Sequence, residues 1–297
     1  MKTAIQDTSC KAIQTISSCG LDIDNAERLQ ECLLNVSRSN EAGKVFNKAG
    51  SVFSGLRTKT AQDNESLKKF LNGWQATHVT ALYVAGMIIR VQREAHEAKK
   101  AGEEIKSGIL NDVAYHLGEV IAEDTGVVGI PHGAMYERFA GAMVRDNSWK
   151  REQYSLRACD DFRTYLEKAR LRAPLEDAIL TTAASELWNT GEYTCAAPHT
   201  RHLLEKMNIK NPVAANAYVA VHAGDTELDH FTHVLKAWQL YCEAEGIEAK
   251  PEKAASVLRN YISRLEPAFS ALDDCLSESA TPKRGYASQF NTVPHMV

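Results

Sequence analysis

Residues 105–123 read IKSGILNDVAYHLGEVIAE, and this stretch decides the fold class. Its aliphatic residues Val113 and Val120 recur at the 3.6-residue spacing of one helix face. His116 and Glu123 fall on the same stripe. The pattern therefore predicts an amphipathic helix that carries a histidine and a carboxylate on the face that meets the core.

Helical periodicity extends over most of the chain. The predicted helices cover residues 22–36, 40–56, 62–101, 103–124, 132–145, 148–170, 174–189, 197–207, 212–245 and 251–275. The clearest breaks are predicted at 124–131 and 190–198, because each segment combines Gly with Pro. Period-2 alternation typical of strands is not found. The sequence predicts an all-α protein.

Three segments are predicted along the chain. Residues 1–60 form an N-terminal helical extension packed on the core, residues 61–276 form the main helical bundle, and residues 277–297 form a flexible C-terminal tail. The tail prediction comes from the mixture of Ser, Pro, Gly and Asn without periodicity.

Composition argues against several classes of protein. The formal net charge is −4, so the basic surface of a nucleic-acid-binding protein is not expected. The longest apolar run, 81–89, is far shorter than the roughly 20 residues that span a bilayer. The N-terminus, MKTAIQDTSCKAIQ, lacks the apolar stretch of a signal peptide, so a cytoplasmic location is expected. The seven cysteines contain no CxxC pair and are predicted to be free thiols.

Ionisable residues on apolar helix faces are the informative feature, because a buried charge needs a partner. The helix that begins near Leu175 carries Glu186 on its apolar stripe. Residues 221–233, VHAGDTELDHFTH, place three histidines and three carboxylates within thirteen positions. Inward carboxylates and histidines on at least three helices are typical of dimetal sites in helical bundles. Ligation rich in oxygen favours iron or manganese over structural zinc.

Two motifs resemble those of the haem-oxygenase-like diiron oxidases. Residues 123–126, EDTG, followed after a Gly/Pro loop by HGAMYERF at 132–139, resemble the acidic-acidic-x-Gly…His signature of that family. Tyr218 and His222 resemble the Tyr-x3-His start of its last core helix. The resemblance covers roughly residues 70–245 and implies a haem oxygenase-like helical bundle that binds two irons and no haem.

The resemblance also implies a set of metal ligands. Glu123 matches the first signature carboxylate, His132 matches the histidine after the loop, and Glu186 matches the carboxylate of the middle core helix. The family usually draws one further glutamate from an earlier helix. Glu94, Glu97 and Glu119 all remain open for that role.

The last core helix departs from the family spacing of His-x3-Asp/Glu-x2-His. Counting from His222, that spacing puts Thr226 at the acidic position and Asp229 at the second histidine. A local bulge could instead present His222, Asp229 and His233, which is the preferred set. His230 and Asp225 stay as alternatives.

The resemblance implies an O2-dependent oxidoreductase with two Fe(II) ions per chain, for which Mn could substitute. The expected substrate is an amino acid or a derivative, oxidised by N-oxygenation, C–C cleavage or desaturation, in natural-product biosynthesis and with a reductant. A homodimer remains open. The alternatives are a metal-free thiaminase-type or pyrroloquinoline-quinone-forming relative on the same fold, and a non-catalytic helical interaction protein.

Overall fold

A computed structural model shows how these predicted segments fold. It describes residues 4–18, 20–21, 23–78, 80–122, 124–127 and 129–277. Glu123, which the sequence singled out, and residues 278–297 of the predicted tail lie outside the described residues.

The regular structure of the described residues is entirely helical, which confirms the all-α prediction. The helices are α1 (Ala4–Gln14), α2 (Ile23–Ser37), α3 (Asn40–Leu56), α4 (Asn64–Thr77), α5 (Ala81–Lys100), α6 (Glu104–Ala122), α7 (His132–Val144), α8 (Arg157–Leu171), α9 (Leu175–Lys206), α10 (Pro212–Ala215), α11 (Ala217–His222), α12 (Thr226–Glu245) and α13 (Pro251–Ser277). Short 3₁₀ turns cover Ile16–Ser18, Ala61–Asp63, Ser148–Lys150 and Glu152–Tyr154. Within the described ranges, every helix is too short or too polar to cross a lipid bilayer.

Helix α9 runs through the middle of the molecule and organises its core. Every side chain from Leu175 to Tyr193, apart from Asp177, is buried, and α9 packs against α1, α3, α8, α11, α12 and α13. A helix that is buried around its whole circumference is the kind that lies in the core of a large protein. Because Glu186 belongs to this buried stretch, its carboxyl group has to find its partners inside the bundle.

The prediction of a break at 190–198 is wrong, because α9 continues through both Gly191 and Pro198. A proline inside a helix costs about 3 kcal/mol, since it removes a backbone hydrogen bond and clashes with the preceding turn. Burial of Leu203 and Leu204 beyond the proline offsets that cost, at roughly 1.5–3 kcal/mol for each side chain.

Gly191 has a structural role that explains its place within a buried helix. A Cβ atom at this position would lie 2.6 Å from the carbonyl oxygen of Ile5 and 2.7 Å from the hydroxyl of Ser9. The glycine therefore lets α1 pack directly on the backbone of α9. Sequence periodicity predicted no helix before residue 22, yet α1 buries Ile5 and Ile13 completely.

The prediction of one helix over 148–170 is also wrong at its start, where two 3₁₀ turns precede α8. Two further departures from the predicted helices border the cavity described below. The predicted helix 62–101 is divided between α4 and α5, with His78 and Thr80 at the junction. The predicted helix 212–245 is divided into α10, α11 and α12, and residues 223–225 form a turn between the last two. Each division places polar side chains at a helix end, where they point into the cavity.

Candidate metal centre

A cavity of about 300 Å³ lies where α7, α9, α11 and α12 meet the junction of α4 and α5. Its polar lining combines carboxylates, imidazoles, amides and phenols: Gln75, His78, Thr80, Asp124, His132, Tyr136, Glu186, Asn189, Tyr193, Tyr218, His222, Glu227 and His230. Six of these side chains form two groups of three, and the ligand atoms within each group all lie within 4.8 Å of one another. The first group is Asp124, His132 and His222; the second group is Glu186, Glu227 and His230.

The loop before α7 brings together the first two members of the first group. Gly126 has a φ of +78°, and a Cβ atom there would lie 2.5 Å from the ring of Pro131. This tight loop lets the backbone N–H of His132 donate to the carbonyl of Asp124 at 3.2 Å. The side chains meet as well, with Oδ1 of Asp124 2.5 Å from Nδ1 of His132.

His222 completes the first group from the last residue of α11. Its Nδ1–H donates to the carbonyl oxygen of Tyr218 at 2.7 Å, which leaves Nε2 with its lone pair for another partner. The imidazole rings of His222 and His132 lie edge to face with centroids 4.4 Å apart. Burial and the neighbouring charge of His132 lower the pKa of His222 to about 3, so this imidazole is neutral near pH 7 and can act as a ligand.

The second group lies deeper, between α9 and α12. Glu186 and Glu227 are 2% and 1% exposed, and Nδ1 of His230 is 3.6 Å from Oε2 of Glu186. Burial and the charge of Glu186 raise the pKa of Glu227 well above its usual value. Burial also raises the pKa of Glu186, but the hydrogen bond and charge of His230 outweigh this effect and lower it overall. Two adjacent buried carboxyl groups of this kind need a proton or a cation between them.

Each of the two groups could hold a metal ion. Oε1 of Glu186 and Oε2 of Glu227 are buried and accept no hydrogen bond from a donor group in the described residues. Such oxygens are rare in folded proteins and call for a missing partner such as an ion. Nε2 of His222 and Oε1 of Glu227, from different groups, are 3.8 Å apart, so the groups are adjacent.

A buried ion pair forms another wall of the cavity. Nε2 of His78 is 3.2 Å from Oε1 of Glu192, and Nδ1–H of His78 donates to the carbonyl of Trp74 at 2.8 Å. Glu192 also accepts the indole N–H groups of Trp74 and Trp188. Burial lowers the pKa of His78, but the charge and hydrogen bond of Glu192, together with the hydrogen bond to Trp74, outweigh burial and raise it overall. On this wall, both ring nitrogens of His78 have partners, one in Glu192 and the other in the carbonyl of Trp74.

Three of the six predicted metal-site residues line the cavity. His132, Glu186 and His222 come from three different helices and converge as the sequence predicted. The fourth, Glu123, lies outside the described residues, and its neighbour Asp124 reaches the cavity.

The other two predicted residues lie elsewhere. Asp229 is exposed on α12, and His233 contacts His116 of α6 outside the cavity. The turn at 223–225 adds to the rotation of α12, so Glu227 and His230 face the cavity in their place. The residues that the sequence left open as alternative ligands are also divided between the cavity and other places. His230 belongs to the second group, whereas the carboxylates that had remained open are all exposed and belong to neither group: Glu94, Glu97, Glu119 and Asp225.

Two members of the groups, Asp124 and Glu227, were not proposed as ligands from the sequence. Asp124 is the second acidic residue of the quoted EDTG motif. A signal for Glu227 was present, because Phe231, Val234 and Trp238 follow it at the spacing of one buried helix face. The apolar stripe therefore fixes the rotation of α12 more securely than spacing counted from His222.

Comparisons with known proteins give no independent assignment. No family model, curated protein or solved structure matches this chain.

Proposed function

We propose that this chain is a non-haem, O2-dependent oxidoreductase of the haem-oxygenase-like type, which holds two iron ions and oxidises a small molecule. The observation that carries this proposal is the pair of three-residue groups facing one cavity, with buried carboxylate oxygens that lack donors. Carboxylates and imidazoles drawn from several helices are the ligands of dimetal sites in bundles. The EDTG motif and the histidine after the loop support the same family.

Each group supplies the donors for one ion. Asp124, His132 and His222 would hold the first, and Glu186, Glu227 and His230 would hold the second. When bound, two ferrous ions supply electrons and open coordination positions for the reduction of O2. The described donors include no cysteine sulfur, which accords with iron or manganese better than with a thiolate metal.

The chain orients these donors before any ion is present. The carbonyl of Tyr218 fixes the tautomer of His222 and keeps Nε2 available. Oδ1 of Asp124 lies 2.5 Å from Nδ1 of His132, so these two donors are adjacent as well. At the second group, a cation can replace the proton that Glu227 holds, and Glu186 and Glu227 can then both be ionised.

Aromatic side chains restrict water around the cavity. The hydroxyls of Tyr193 and Tyr218 hydrogen-bond to each other at 2.7 Å, and Tyr136 donates its hydroxyl to the carbonyl of Leu71 at 2.6 Å. These phenols present ring faces to the cavity while their polar atoms are occupied. Such a wall protects a reactive oxidant from side reactions. A small amino acid or an amine suits the cavity volume of about 300 Å³.

The metal-free alternative receives less support from the cavity. The cysteine form of a thiaminase-type reaction lacks its nucleophile, because the described lining includes no cysteine. The form that pairs an acidic residue with a histidine would leave two adjacent buried carboxyl groups without a cation. Among the described cysteines, burial raises the pKa of Cys159, Cys195 and Cys242, so none of these three is an activated thiolate.

Iron quantitation after anaerobic reconstitution tests the proposal directly. The expected result is two Fe(II) per chain in the wild type, followed by O2 consumption when free amino acids, guanidines or fatty acids are screened. Replacing Glu186 by Gln should reduce bound iron and abolish consumption. A wild-type chain that retains no iron after desalting, or a Glu186→Gln variant with full iron content, would contradict the proposal.

A further inference from the structure

A second pair of histidines lies outside the cavity, between α6 and α12. Nδ1 of His116 and Nδ1 of His233 are 2.9 Å apart, and the two ring planes are inclined by 46°. Both side chains are half-buried. In the absence of an ion, one imidazole donates an Nδ1–H to the lone pair of the other, because a neutral ring carries one proton.

The same separation suits two nitrogen ligands on one metal ion. Metal–imidazole bonds of about 2.0–2.1 Å meeting at a right angle place the nitrogens about 2.9 Å apart, whereas a tetrahedral angle requires about 3.4 Å. The observed distance therefore matches square-planar or octahedral geometry, which Cu(II) and Ni(II) prefer, without movement of either helix.

The electrostatic surroundings favour a cation at this position. The carboxylates of Asp112 and Glu119 act on His116, and those of Glu119 and Asp229 act on His233. Glu119 follows His116 by three residues, and Asp229 precedes His233 by four, so both carboxylates lie on the same helix faces as the rings. Lys236 opposes them at both rings, and His230 opposes them at His233.

Near neutral pH, protons compete only weakly with a metal ion for the imidazoles of His116 and His233. Burial lowers the pKa of both imidazoles, and the proximity of His233 lowers that of His116 further. Binding an ion through both Nδ1 atoms then needs only a change of tautomer in one ring, with its proton moving from Nδ1 to Nε2 through solvent. No net proton has to be released.

We propose that His116 and His233 form a separate transition-metal site that clamps α6 to α12, with water completing the ligands. The ion would be divalent, with square-planar or octahedral geometry. Because α12 also carries Glu227 and His230, an ion at this site fixes the helix that supplies two of the three donors of the second group.

Cu(II) is the probe, because its electron paramagnetic resonance spectrum reports how many imidazoles bind it. In a His132→Ala/His230→Ala background, which removes a donor from each cavity group, one Cu(II) per chain should remain with two coordinated imidazoles. His116→Gln or His233→Gln in that background should abolish this signal. Gln keeps a donor and an acceptor between the helices, so the fold should persist. His96→Gln, at an exposed position on α5, is the matched control and should keep the signal.

A second measurement does not depend on the folding of the double variant. Full-length wild type and His116→Gln are titrated with Cu(II), and the variant should bind one equivalent less, while His96→Gln matches the wild type. Equal stoichiometry in wild type and His116→Gln, or a copper signal from only one imidazole, would overturn the proposal and leave a simple hydrogen bond. If copper binds only at this pair and Glu186→Gln changes nothing, this proposal stands and the proposed dimetal function fails.

Discussion

Replacing Glu227 by Gln should weaken metal binding without lowering the melting temperature of the metal-free protein. The raised pKa of Glu227 means that the metal-free protein keeps this buried group protonated to higher pH than a usual carboxyl. Gln has the shape of a protonated glutamate and removes the repulsion with Glu186. The metal-free variant should therefore melt at the same temperature as the wild type or slightly higher, although a buried residue has been changed.

The loss should show only when metal is added. An ion present at a hundred times its dissociation constant stabilises the native state by about 2.7 kcal/mol. Unfolding entropy is about 2.1 cal/mol/K per residue, so for a chain of 297 residues this stabilisation raises the melting temperature by roughly 4 °C. Glu227→Gln removes an anionic ligand and should reduce the shift to about 1 °C or less.

Differential scanning fluorimetry with and without Mn(II) makes the comparison in air, because Mn(II) does not oxidise readily. Glu243→Gln is the matched control, since Glu243 is exposed on the same helix, and it should retain the full shift. An equal Mn(II) shift in wild type and Glu227→Gln would refute the assignment of Glu227 as a ligand. A large drop in the melting temperature of the metal-free variant would show instead that the ionised carboxylate stabilises the fold.

Three further changes test other parts of the structure. His230→Ala should lose about one of two bound irons, whereas His233→Ala should retain both; the reverse pattern of iron content would restore the ligand set expected from spacing. His78→Gln should remove a pH dependence of stability. Because Glu192 raises the pKa of His78, the ion pair stabilises the fold fully below about pH 6.5 and loses this effect as pH rises through the folded pKa. The difference in unfolding free energy between wild type and His78→Gln should shrink with rising pH in urea titrations, and a difference that stays constant would contradict the pairing. Gly191→Ala should lower the unfolding free energy by about 1–3 kcal/mol by pushing α1 off α9, and an unchanged urea midpoint would contradict that close packing.

Periodicity predicted the helical class and the inward placement of Glu186, whereas the resemblance to a family motif implied that of His132 and His222. These side chains share stripes or motifs with apolar neighbours, and the stripes are local properties of the sequence. Glu186 is the clearest case, because the helix around it is buried on every side and a single stripe sufficed to place it.

The rotation of α12, the continuity of α9 and the histidine pair could not be predicted from local spacing, because they depend on contacts between distant parts of the chain. One extra residue in a turn rotates the following helix by about 100°, so counting from His222 across residues 223–225 could not fix which side chains of α12 face inward. The continuity of α9 through Pro198 depended on tertiary packing beyond the proline. The contact between His116 and His233 joins two helices 117 positions apart, and no periodicity within either helix reveals it.

The indole hydrogen bonds to Glu192 also give the protein an optical signal of its own. Two of its four tryptophans, Trp74 and Trp188, donate to a carboxylate whose other partner, His78, lines the cavity. Trp74 also meets the ring of Tyr136, another lining residue, edge to face at 6.1 Å. Paramagnetic ions close to an indole quench its fluorescence, and a shift in the charge of Glu192 changes its emission wavelength. Occupancy of the cavity can therefore be followed by intrinsic fluorescence in the unlabelled chain, with Trp74→Phe and Trp188→Phe assigning the signal to each indole.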